Sequence, residues 1–221
     1  FDKLTAKAKE MGATTKFTAT QSAEAFNYMA MAGWDSQQML DGIEGILNLA
    51  AASGEDLGTT SDIVTDALTA FGLKASDAAH FSDVLAQSAA SANTNVSMMG
   101  ESFKYVAPIA GAMKYSVEDT SLALGLMANA SVKGSMAGTS LKTALANMAA
   151  PTDKMATAMK KYGISLTDSN GNMKTLKGVL DNLRSSLGGL SETEKTAAAS
   201  TIFSKEAMSG MLAIINATES D

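Results

Sequence analysis

The chain of 221 residues carries 17 basic against 23 acidic side chains, a net charge of −6, with no cysteine and one histidine. The acidic balance and the lack of a Lys/Arg cluster argue against a nucleic-acid surface, because phosphate neutralisation calls for grouped cations. The missing thiols exclude disulfides, thiolate zinc centres and cysteine nucleophiles.

Abundant small residues, 15 methionines and only 5% aromatics suit helices packed closely on one another. No basic stretch precedes an apolar one at Phe1, so no signal peptide is expected, and the chain reads as a piece of a longer one. The longest nearly apolar run, IEGILNLAAA, is about half a bilayer crossing, so the segment is expected to be soluble.

Apolar residues recur at helical spacing along most of the chain. The pattern predicts helices near 22–32, 58–71, 76–91, 98–113, 117–131, 138–149, 152–162, 176–187, 192–203 and 205–217. One more, in SQQMLDGIEGILNLAAASG, places Met39, Leu40, Ile43, Leu47 and Ala50 or Ala51 on one face, with Ser36 as N-cap and Gly54 as stop. Ser36, Ser76 and Ser116 read as capping serines at an interval of 40 residues, each followed by two helices. That period predicts stacked helical hairpins.

His80, in DAAHFSDVL, is the only imidazole base available, four residues after Ser76. A structural histidine on a helix is the expected reading. Pro108, in YVAPIAGAM, is expected to kink or break its helix near Tyr105. The stretch SVKGSMAGTSLK has the composition of a phosphate loop but not the spacing. Three residues instead of four separate Gly134 from Gly138, and no lysine follows directly. Gly54 and Gly58 stand 80 residues earlier, in what the period makes the same slot, so a φ > 0 turn and tight helix packing are expected to explain the two pairs.

In YGISLTDSNGNMKTLKGVL the helical pattern stops. Ile164 and Leu166 alternate and DSNGN is a turn, which predicts a small β-hairpin near 164–175, pairing 164–167 with 172–175. Asp168, Asn170 and Asn172 resemble the start of a calcium loop, but the sixth and twelfth places hold Met173 and Val179 where Gly and Glu belong. The fold expectation is therefore all-α, stacked hairpins with an approximately 40-residue pseudo-repeat plus that hairpin. It divides into a helical-hairpin region, 1–150, and a smaller region, 151–221, packed on the first.

No Gly-x-Ser-x-Gly, Ser-x-x-Lys or His-Glu-x-x-His motif occurs. Carboxylate pairs at Glu55–Asp56, Glu118–Asp119 and Glu192–Glu194 are the remaining catalytic candidates. Each lies at the start of a predicted helix, where capping and the helix dipole favour acids. No catalytic, cofactor or metal site is expected.

Several phrases, in order and over nearly the whole chain, resemble the conserved region of phage tail tape-measure proteins, the long minor tail proteins of siphophage-like tails. They include TTKFTATQSAEAFNYMAMAGWDSQQML, LNLAAASGEDLGTTSDIVTDALTAFGL, SDVLAQSAA, FKYVAPIAGAM, SVKGSMAGTSLKTALANMAAP, GISLTDSNGNMKTLKGVLDNL and TAAASTIFSKEAMSGMLAII. The chain departs from that pattern at Lys114 and Ser204, where glycine is usual. The resemblance implies a structural component of the virion tail, assembled in the host cytoplasm, that sets tail length and helps deliver DNA. Its implied partners are tail tube subunits, baseplate or initiator proteins, assembly chaperones and further copies of itself. Membrane contact is implied only for other parts of the full protein. The competing readings are a helical adaptor outside any tail and a carboxylate-dependent hydrolase.

Overall fold

The computed structural model describes residues 2–218. Its helices are α1 (Asp2–Thr14), α2 (Ala19–Met31), α3 (Ser36–Ser53), α4 (Leu57–Phe71), α5 (Ala78–Ser91), α6 (Val96–Ala112), α7 (Val117–Asn129), α8 (Gly134–Ala149), α9 (Asp153–Tyr162), α10 (Leu176–Leu187) and α11 (Glu192–Asn216), with a short 3-10 turn at Ala75–Asp77. Short polar side chains set most of the starts. Thr18 and Asp35 form capping boxes with Gln21 and Gln38, while Asp56, Asn95, Ser116, Thr152, Thr175 and Ser191 each accept an amide from the first turn they open.

Five helices end in the same way. In α2, α4, α6, α7 and α9 a residue with positive φ donates back into the last turn, and the next, apolar residue donates to the carbonyl one residue earlier: Trp34 to Met29, Leu73 to Leu68, Tyr115 to Ala110, Val132 to Met127 and Ile164 to Met159. This closure satisfies carbonyls the helix end would otherwise orphan, and it turns the apolar residue back onto the helix. Trp34, Tyr115, Val132 and Ile164 are buried by it.

From α2 to α8, helices two apart in the chain are neighbours, and α10 and α11 extend the two rows from α7 and α8. One row runs α3, α5, α7, α10 and the other α2, α4, α6, α8, α11, with the core between them. α1 lies against α2 and α3, and α9 against α11 and α8. Phe103 of α6 joins the rows, meeting Phe71 of α4 edge-on at 5.8 Å and Phe81 of α5 at 5.6 Å. Such ring pairs contribute about 0.5–1.5 kcal/mol each beyond their burial.

Several expectations need correction. No strand forms among the described residues: the 164–175 segment has a single bridge, Thr167 with Met173. The ladder cannot extend because its backbone groups are engaged elsewhere. The amide of Ile164 closes the end of α9, that of Ser165 donates to Asn182 Oδ1, and Thr175 already caps α10. Ser36 is the first residue of α3 behind its cap Asp35, and Ser76 lies in the 3-10 turn, so Ser116 alone of the three serines caps a helix. The glycine slots differ too, since Gly54 ends α3 whereas Gly134 begins α8.

α6 runs through Pro108 unbroken. Both Pro108 and Lys104, whose carbonyl loses its donor, are exposed, which leaves that oxygen open to water. The true interruption is in α11, at Ser204, with φ 75° and ψ 165°. Its two halves, on either side of the residue expected to separate two helices, fold back on each other. Lys195 Nζ reaches Asn216 Oδ1 at 2.8 Å, whereas a straight helix would hold those residues about 30 Å apart. Lys195, 5% exposed, also bonds Glu192 Oε1 at 2.9 Å.

Candidate functional site

The three carboxylate pairs occupy helix starts, and the hydrogen bonds they make are structural. Asp56 accepts the amide of Thr59 at 2.9 Å and its hydroxyl at 2.7 Å, contacts that hold its carboxyl below the usual aspartate value. Glu194 is held low chiefly by the Ser191 hydroxyl, which donates to Oε2 at 2.7 Å, and Glu192 pairs with Lys195. Asp119 Oδ2 accepts the amide of Lys177 at 2.9 Å, which fastens the start of α10 to the start of α7.

Glu118 and His80 do come together, Oε1 to Nε2 at 2.6 Å, bridging α7 and α5. Glu118's own backbone amide, followed by its contact with His80, holds its carboxyl below the usual glutamate value against partial burial. A general acid needs the opposite shift. Both side chains are half exposed or more, so the pair stabilises the fold by about 0–1 kcal/mol. Imidazole and carboxylate here connect two helices of one row, and Ser76 is not among the groups bonded to His80.

Asp168 Oδ1 accepts the amides of Asn170 and Asn172 at 2.8 and 2.9 Å, and these contacts lower its pKa. The oxygens offered to a cation in the calcium reading therefore build the turn itself. Among the described residues no group of three or more His, Asp or Glu side chains is placed to hold a metal ion.

The glycine joint is where SVKGSMAGTSLK acts. Gly134 has φ +56°, and its carbonyl accepts from Ser102 Oγ of α6 at 2.8 Å. A Cβ at Gly138 would stand 2.3 Å from the Ser102 carbonyl oxygen. The stretch thus brings the backbones of α8 and α6 together.

The surface hollows have little convergent chemistry. One of about 560 Å³ between α1 and α2 is lined by Leu4, Ala8, Phe26, Ala30 and Met39 with Lys9 and Glu24 among its walls. Another, about 520 Å³ between α9 and α11, has Asp153, Lys154 and Lys161 around Ala158, Ala197 and Thr201. No described helix is long and apolar enough to cross a membrane. Sequence reasoning missed the groups that hold α11: Lys195, Asn216, and Asn147 of α8, which donates to the Phe203 carbonyl at 3.1 Å. The available signal was the helical spacing of Lys195 with Ala198 and Ala199, which places the lysine on the buried face.

What the arrangement does is hold helices to helices. The tape measure protein of Pneumococcus phage Dp-1 is 39% identical over 215 residues, covering 97% of this chain and 19% of that protein. The probable tape measure protein of Escherichia phage P2 is 28% identical over 216 residues, again 97% of this chain and 26% of the relative. The chain thus spans about a fifth to a quarter of the length of these relatives, and no solved structure matches it. A family model described as phage-related minor tail protein matches residues 5–204, and the chain belongs to that family.

Proposed function

We propose that this chain is a compact helical domain of a tape measure protein, a structural component of a phage or prophage tail. In this reading the full-length protein sets tail length, assists assembly and precedes DNA at infection, in contact with tail tube subunits, baseplate or initiator proteins and assembly chaperones. The observation that carries it is the match to two tape measure relatives over 97% of the chain. The role is non-catalytic, supported by carboxylates whose oxygens are used in caps and inter-helix contacts. Residues 1–150 and 151–221 act as one unit, a reading supported by the packing of α11 on α8 and of α10 on α7. The pseudo-repeat is a property of packing more than of caps: α4, α6 and α8 begin roughly 40 residues apart in one row.

Measuring is then done mainly by other segments. In-frame removal of this domain from the intact protein, with tail length read by electron microscopy, is the test. An extended helix of this length would contribute about 330 Å at 1.5 Å per residue. The compact reading expects assembled tails shortened by far less, and a loss near the full helical length would overturn it.

A further inference from the structure

Residues 192–216 contain no proline and no loop. Glu192–Phe203 and Lys205–Asn216 are both helical, and Ser204 alone accounts for the reversal between them. Its φ of 75° and ψ of 165° lie in a region that residues other than glycine rarely enter. Its Oγ is buried with no hydrogen-bond partner. The break also takes helical partners from the surrounding backbone, and Asn147 restores one of them at the Phe203 carbonyl.

The forces that keep the halves folded act away from the hinge. Ala207, Met211, Ile214 and Ile215 are buried in the core, Lys195 holds Asn216, and Arg184 Nη2 donates to the Ala217 carbonyl at 2.7 Å. If the halves joined as one helix, the strain, the stranded hydroxyl and the broken backbone bonds would all be relieved. The burial and the Lys195 contact would be lost. A change at one residue therefore separates two ordered arrangements of the same segment.

We propose that residues 192–216 form a jackknife, with Ser204 as hinge and the Lys195–Asn216 contact as catch, closed in this fold and able to open into one continuous helix. This chain contributes no cysteine, so Thr193→Cys with Ala213→Cys installs a spin-label pair in the intact protein once any cysteine outside this chain is replaced by serine. The closed form gives a short distance and the open form about 30 Å, from 1.5 Å per residue. Lys195→Met releases the catch, and adding Ser204→Leu penalises the folded-back backbone. That double variant is expected to raise the long-distance fraction about tenfold or more over the parent with helical content retained. Ser204→Gly in the same Lys195→Met background is expected to keep the short distance, which separates a hinge effect from damage caused by the lysine change. The proposal is overturned if the Ser204→Leu variant keeps only the short distance. It is equally overturned if that variant loses helical signal with no component near 30 Å while the Ser204→Gly variant stays folded.

Discussion

Tyr115 closes the end of α6 with its amide and buries its ring, yet its hydroxyl has no hydrogen-bond partner among the described residues. Burial pushes the phenol from 10.0 to about 12. A raised folded value means that the contribution to stability is complete below pH 10 and is lost as pH rises toward about 12, because the unfolded chain releases the proton first. Tyr115→Phe should remove that alkaline loss and be neutral or stabilising at neutral pH, since it deletes an unpaired buried group; urea midpoints of both proteins at neutral pH and above pH 10 are the check. The preceding residue, Lys114, has φ 61°, a left-handed conformation that suits glycine. Lys114→Gly is expected to raise stability by about 1 kcal/mol by relieving a left-handed conformation, measured by the same denaturation. Lys114 and Ser204 share one physical feature: both side chains sit on positive-φ backbone that glycine enters more readily.

At the scale of the helix, small residues decide how close two axes come. Alanine is favoured over glycine inside a helix by about 1 kcal/mol, so Gly125→Ala in α7, where the new methyl would meet only Ala92 Cβ at 3.4 Å, should be neutral to stabilising. Gly138→Ala in α8 should instead destabilise by about 1–3 kcal/mol, because backbone must move to admit the methyl against an oxygen 2.3 Å away. Thermal unfolding of the pair separates packing from propensity, and equal shifts would contradict this account of the joint. Most helices were legible for the same local reasons, and even the interruption at Ser204 fell between two predicted helices. α1 was not predicted: its face buries only Ala8 and Met11, a periodicity too thin to stand out. The β-hairpin failed because Ile164, Ser165 and Thr175 were claimed by α9, α10 and Asn182, competition that no local pattern displays. The carboxylates were read correctly as helix starts, whereas the link from Asp119 to Lys177 spans 58 residues and could not be seen locally.

For the molecule as a whole, the two rows and the shared core make a folded body out of a chain whose relatives are named for measuring length. Small-angle scattering on the isolated chain is expected to give a radius of gyration of about 17 Å, the value for a compact chain of this size. A rod-like profile would contradict the arrangement of α3 to α8 and of α11. The charge is unevenly spread: acidic side chains crowd α3, α4 and the start of α5, while lysines are frequent from α8 onward. The array therefore presents an acidic stretch and a more basic end to its surroundings.

Packing against the helix two places earlier has a consequence for synthesis. When α5 leaves the ribosome α3 is already waiting, and the same holds for α6 with α4, α7 with α5 and α8 with α6. Contacts that close over short stretches of chain form quickly and expose little apolar surface while they wait. The relatives are several times longer than this chain, and a row in which each new helix finds its partner already in place lets a long chain begin folding before it is finished.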